Sequence, residues 1–201
     1  MQHRHWQEPV IDEPCAEYAD AITANSWPGA VECRHRADIG GGKAATAPAR
    51  LDALRKTDSD GVRATAALTR ASLAVQQGDR KLASSIYAEI AADTGLGGPY
   101  RDLATVRGTT LDYDSLSPDV VIARLQPLAE PGLPFFGSAG EMVGMALIAK
   151  GQRMPAAQLF AKIAADPTVP GTIRSRAVQV AGTLGIDASA SLPASLGPLA
   201  R

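Results

Sequence analysis

From Ala44 onward, hydrophobic positions recur at helical spacing, interrupted by glycine, proline and short acidic clusters. Ala49 to Lys56 forms a short helix, and Asp58-Ser59-Asp60 supplies capping side chains for the next, expected over about 60 to 77. Leu68, Ala71, Ser72 and Val75 share one face of that helix. Gly78 ends it, and Asp79 caps a following helix striped by Leu82, Ala83, Ile86, Tyr87 and Ile90. Gly95, Gly97 and Gly98 break the chain again. Pro99 opens a helix as its first residue and runs through Leu103 and Val106 toward Leu111. Ser117-Pro118-Asp119 combines a cap, an N-terminal proline and an early acid, ahead of Val121, Leu125 and Leu128 on one face. Pro131-Gly132-Leu133-Pro134 stops that helix. Ser138 and Glu141 have capping-box spacing and open a helix with Met142, Met145 and Ile148 on a stripe, closed by Gly151. Ala156, Leu159, Phe160 and Ile163 mark the next, which ends at Asp166-Pro167. A last helix from Pro170 to about Leu184, with Ile173, Ala177, Val180 and Leu184, caps the array.

The chain also repeats itself. Gly78 through Asp93 returns as Gly151 through Asp166, a displacement of 73 residues with eight of sixteen positions identical. Tyr87 becomes Phe160, so the aromatic position keeps its character. A period of 73 corresponds to two helix-turn-helix units of ~34 residues, which implies a third, more divergent unit between the copies. The expected fold is therefore all-α: an α-solenoid of about three degenerate tetratricopeptide-like units with a C-terminal capping helix.

Composition refines the picture. Aromatics make up 4% of the 201 residues while alanine is abundant, which suits helices that approach closely. Twenty basic and 21 acidic residues leave a net charge of -1, so nucleic acid is not an expected partner. No window of about 18 apolar residues spans a membrane, and the polar start Met1-Gln2-His3-Arg4-His5 does not resemble a signal peptide. All three histidines, both tryptophans and both cysteines fall in the first 35 residues. The expected organisation is an irregular, poorly packed segment at 1–42, a helical repeat domain at 43–186 and a disordered Ser/Ala/Pro/Leu-rich tail at 187–201.

The repeat positions resemble the tetratricopeptide pattern: Ala83 and Ala156 at the small position where helices touch, Tyr87 and Phe160 four residues on, and Gly144 at the small first-helix position, with Ala71 its counterpart. Ile90 and Ile163 complete the echo. The tryptophan position holds Ala67 or Gly140, and the middle unit has Val121 and Leu125 in place of alanine and an aromatic. More narrowly, Pro99-Tyr100-Arg101-Asp102-Leu103-Ala104, Phe135-Phe136-Gly137-Ser138-Ala139-Gly140-Glu141-Met142 and Ile173-Arg174-Ser175-Arg176-Ala177 together resemble the bacterial tetratricopeptide family of the ancillary SecYEG translocon subunit and related periplasmic cell-division coordinators, over about residues 50 to 186. That resemblance implies an inner-membrane protein with one N-terminal transmembrane helix, a periplasmic repeat domain, no catalytic activity and no cofactor, and contacts with translocon components or periplasmic chaperones. The start at Met1 is expected to fall just after such a helix, as in a truncated or mis-assigned beginning. The chain as given is then expected to be soluble, with membrane contact only through a helix it does not contain.

Candidate chemistry is sparse. His3, His5, Cys15, Cys33 and His35 are ligand-type residues, but only His3-x-His5 and Cys33-x-His35 approach the tight spacing of a zinc site, so no metal is expected. Gly40-Gly41-Gly42-Lys43 departs from a phosphate loop, since Ala44 replaces the hydroxyl residue and no strand precedes it. Ser138 lacks the Gly-x-Ser-x-Gly frame of a nucleophile elbow and is expected to cap a helix. Met142, Met145 and Met154 are expected chiefly to fill core, with an adaptable binding surface as the other use of methionine. The expected function is a non-catalytic protein-interaction scaffold. The alternatives are a soluble tetratricopeptide adaptor with no membrane role, or a metal-dependent enzyme using the N-terminal His/Cys segment.

Overall fold

The computed structural model describes residues 46–191, and all regular structure among them is helical. Eight α-helices occur among the described residues: α1 (Ala47–Leu54), α2 (Asp60–Gln76), α3 (Arg80–Ala92), α4 (Gly98–Asp112), α5 (Pro118–Leu125), α6 (Phe136–Ala149), α7 (Arg153–Ala165) and α8 (Gly171–Thr183). Short 3-10 turns lie at Tyr113–Ser115, Gln126–Leu128 and Ser189–Ser191. The irregular segment expected at 1–42, and the tail from 192 on, lie outside the described residues. Among the described residues no helix is long and apolar enough to cross a membrane.

The described residues divide into two compact units that part between Arg70 and Ala71, inside α2. In the first, Ala47, Leu51, Ala64, Ala67 and Leu68 are buried. Asp52 of α1 ties the two helices of this unit together: Arg70 of α2 lies 3.6 Å from one carboxylate oxygen, while Arg55, just past the end of α1, lies 3.2 Å from the other.

In the second unit consecutive helices pack on one another, α3 on α4, α5 on α6, α6 on α7 and α7 on α8, as in an α-solenoid, while alternate helices α4, α6 and α8 also meet. The reversals come from backbone geometry. Gly78 and Gly151, equivalent positions of the sequence echo, and Gly185 all have φ between 75° and 98°. At each, the amide of the next residue reaches back five residues to a helix carbonyl: Asp79 to Ala74, Gln152 to Leu147 and Ile186 to Ala181, at 2.9 Å in every case. The glycine amides bond to Val75, Ile148 and Gly182. This double bond satisfies carbonyls that a helix end leaves open and needs a left-handed residue, which glycine adopts without a Cβ penalty. Asp79 then caps α3 by accepting from the Leu82 amide at 3.0 Å, and Ser117 caps α5 by accepting from Val120.

Two apolar clusters hold this unit. One gathers Val106, Val121, Leu125, Ala129, Ala139, Val143 and Ala146 from α4 to α6. The other gathers Phe136, Phe160, Ile163, Ala164, Val169, Ala177, Ala181 and Ala188. Half of the second cluster is alanine, so its backbones lie close, and α6 carries this furthest. A Cβ placed on Gly137 would sit 2.8 Å from Val169 Cγ1, on Gly140 2.8 Å from Ile163 Cδ1, and on Gly144 2.6 Å from Phe160 Cε2. Spaced at 137, 140 and 144, the three glycines line one face and admit α7 and the loop after it to near contact.

Four expectations are corrected. Val75 is 40% exposed, and the buried residues beside it are Leu73 and Ala74. The helix around Ser138 begins earlier, at Phe136, because Ala139 already donates to the Phe135 carbonyl at 2.8 Å; Ser138 is interior and caps nothing. The buried face of α6 is Phe136, Gly137, Ala139, Gly140, Val143, Gly144 and Ala146 in place of the methionine stripe. Finally, the tail does not begin at 187 as an unstructured segment: Ala188 is buried in the second cluster, and Arg174 donates to the Ala164 and Ser191 carbonyls, fastening the 3-10 turn to the end of α7.

Candidate functional site

The seven repeat positions are core. Ala83, Tyr87 and Ile90 are buried on α3, and Ala156, Phe160 and Ile163 on α7. Gly144 faces Phe160, whereas Tyr87 meets the next helix: a Cβ on Gly108 of α4 would lie 3.1 Å from Tyr87 Cβ. The two aromatics therefore use glycine clearance on different sides. None of the seven is available to a partner except at the edge of Phe160.

That edge opens into a groove of about 450 Å³ on the face where alternate helices meet. α4 and its 3-10 turn contribute Thr110 and Tyr113, α6 contributes Glu141, Met142 and Met145, α8 contributes Arg176 and Val180, and Phe160 of α7 lies at the base. Met145 is 47% exposed, so the expectation that it fills core is overturned; Met154, on α7 and away from this groove, is 55% exposed. Met142 is held more firmly. Its sulfur lies 3.4 Å from Thr110 Oγ1, whose hydroxyl donates to the Val106 carbonyl at 2.8 Å, and its carbonyl accepts from Tyr113 Oη at 3.4 Å. Burial raises the Tyr113 phenol above its ordinary pKa, and the nearby Asp114 carboxylate adds to the shift.

One ion pair crosses the groove. Arg176 Nε and Nη2 donate to the two Glu141 carboxylate oxygens at 2.9 and 2.7 Å, joining α8 to α6 in a bidentate fork. These hydrogen bonds, together with the Glu141 charge, raise the Arg176 pKa. The Arg176 side chain is 58% exposed, so the pair contributes little to stability but leaves the groove electrically balanced. The result is an apolar lining crossed by a neutralised pair, suited to taking up apolar side chains by desolvation.

A smaller hollow of about 230 Å³ lies between the Gly132-Leu133-Pro134 loop and the Thr168-Val169-Pro170 loop, with Ser138 on its wall. Asp166 shapes this region by accepting from the Thr168 amide at 2.8 Å and its hydroxyl at 2.6 Å. Among the described residues no group of three or more His, Cys, Asp or Glu is placed to hold a metal ion. The His3, His5, Cys15, Cys33 and His35 set and the Gly40-Gly41-Gly42-Lys43 run lie outside the described residues.

Sequence reasoning picked out Met142 and Met145 but missed Thr110, Tyr113, Val180 and the Glu141–Arg176 pair. The pair joins residues 35 positions apart, and only the α6–α8 contact brings them together. The missed signal was parity: α4, α6 and α8 are alternate helices of a regular array and so share a face. No family model matches the chain, and no curated protein or solved structure matches it significantly.

Proposed function

We propose that the protein is a non-catalytic interaction scaffold of about three tetratricopeptide-like units, and that it holds an amphipathic segment of a partner protein in the groove lined by α4, α6 and α8. The observation that carries this reading is the 450 Å³ apolar groove formed by alternate helices, with half-exposed Met145 on its wall. Apolar side chains of the partner displace water from Met142, Met145 and Val180, and methionine's three rotatable bonds let the lining adapt to them. The sequence echo supports the repeat reading, since Gly78 and Gly151 end their helices in the same way. The resemblance of residues 50 to 186 is the ground for seeking that partner among translocon components or periplasmic chaperones.

A photo-crosslinker placed at Met145 tests the scaffold reading against one placed at exposed Lys162 on α7. In membranes and periplasm, the Met145 probe should label a translocon subunit or periplasmic chaperone that the Lys162 probe does not. Equal labelling from both positions counts against the groove, and labelling confined to other proteins counts against the translocon assignment.

A further inference from the structure

We propose that Met145 is a reversible oxidation site that switches the groove from an apolar to a polar lining. This inference rests on the groove being the binding surface. It starts from a difference among three methionines. Met142 is half-buried with its sulfur against Thr110 Oγ1 at 3.4 Å, Met154 is 55% exposed but away from the groove, and Met145 is 47% exposed and lines it. Peroxide therefore reaches Met145 and Met154 ahead of Met142, because reactivity follows access to the sulfur lone pairs. In the step, the thioether sulfur gives two electrons to hydrogen peroxide; one peroxide oxygen bonds to sulfur and the other leaves as water with both protons. Two thiols reverse it through a methionine sulfoxide reductase, becoming a disulfide and releasing the sulfoxide oxygen as water.

The consequence differs at the two exposed positions. At Met154 the sulfoxide faces solvent and changes nothing in the groove. At Met145 the new S=O dipole joins the apolar part of the lining, Met142, Val180 and Phe160, and an apolar occupant would strip its water without returning a hydrogen bond. Loss of one apolar side-chain contact lowers affinity roughly tenfold.

The test uses the full chain, with the apolar dye anilinonaphthalene sulfonate as probe. Groove binding is defined as the portion that Met145→Asp removes while circular dichroism stays unchanged. After graded peroxide treatment, peptide mass spectrometry should find one added oxygen on Met145 and Met154 before Met142. Groove binding should weaken roughly tenfold and return with a sulfoxide reductase and dithiothreitol. Met145→Leu should bind dye and resist peroxide, whereas Met154→Leu should stay sensitive. Oxidation of Met142 ahead of Met145, unchanged binding after Met145 is oxidised, or equal peroxide sensitivity in Met145→Leu overturns the switch while leaving the groove intact. Absence of any Met145-dependent dye binding in the untreated protein refutes the groove, and the switch with it.

Discussion

Gly144→Ala adds one methyl group where α6 meets α7, and its effect follows from two opposing terms. An ideal Cβ at 144 stands 2.6 Å from Phe160 Cε2, 2.8 Å from Cζ and 3.3 Å from Cδ2. Ordinary carbon contacts lie at ~3.5 to 4 Å, so the ring or the helix must shift by close to an ångström. Phe160 is 1% exposed and sits among Phe136, Ile163, Ala164 and Ala177, so only the edge that meets the groove is free and the ring relieves the clash in part. Overpacking of this kind costs up to about 3 kcal/mol, while replacing a mid-helix glycine by alanine returns about 1 kcal/mol through helix propensity. The expected net loss is ~2 kcal/mol. Gly182 of α8 supplies the control, because its added Cβ would meet nothing within 4 Å. Gly182→Ala should therefore be stabilising by up to ~1 kcal/mol, the same chemical change with the opposite sign. Urea unfolding followed by circular dichroism measures both. Phe160→Leu in the Gly144→Ala background should recover part of the loss, and the double-mutant cycle reports the coupling. Should Gly144→Ala be neutral or stabilise like Gly182→Ala, the close approach of α6 and α7 is wrong.

Further outcomes follow from the same contacts. Tyr87→Ala and Phe160→Ala each remove a buried aromatic and should cost ~3 to 5 kcal/mol in denaturant melts; losses under ~1 kcal/mol for both would refute their core placement. Arg176→Ala breaks the exposed fork to Glu141 and should change stability by less than ~1 kcal/mol, a small effect that 1 M salt erases. The Asp166 carboxyl should titrate below the ordinary aspartate range, mainly through the Thr168 hydroxyl and then the Thr168 amide. Its contribution to stability is present above the ordinary value and lost as pH falls through the lowered one; Thr168→Val should move the NMR-observed pKa back up, and an unchanged value would show that the hydroxyl bond does not form.

Helix boundaries were legible because their signals are local. Gly78 and Gly151 stop helices by backbone conformation, and Ser117 and Asp79 start them through one side-chain bond each. Faces were less legible where small residues carry the contact. On α6 a hydrophobic stripe selects Met142, Met145 and Ile148, but the helix buries Gly137, Gly140 and Gly144, since closeness of approach rather than side-chain apolarity decides that face. Ala74 beside Val75 repeats the lesson on α2. Glu141 was misassigned for another reason: three-residue spacing from Ser138 matches a capping box, and its actual partner, Arg176, lies two helices away. The Glu141–Arg176 side of the groove was invisible to any reading confined to neighbours in sequence.

The closure of α7 by α8 bears on how the chain emerges during synthesis. The most extensive contacts within the second unit join helices adjacent in sequence, so each turn of the array can settle soon after its residues are made, as expected of low-contact-order folds. The exception is the last step. Until Ala177, Ala181 and Ala188 arrive, α7 is covered only on the side where Phe160 and Ile163 meet α6, and its α8-facing side lacks partners. A nascent chain stalled at Asp166 would therefore leave apolar surface on α7 open, making residues 167–191 the segment that covers it.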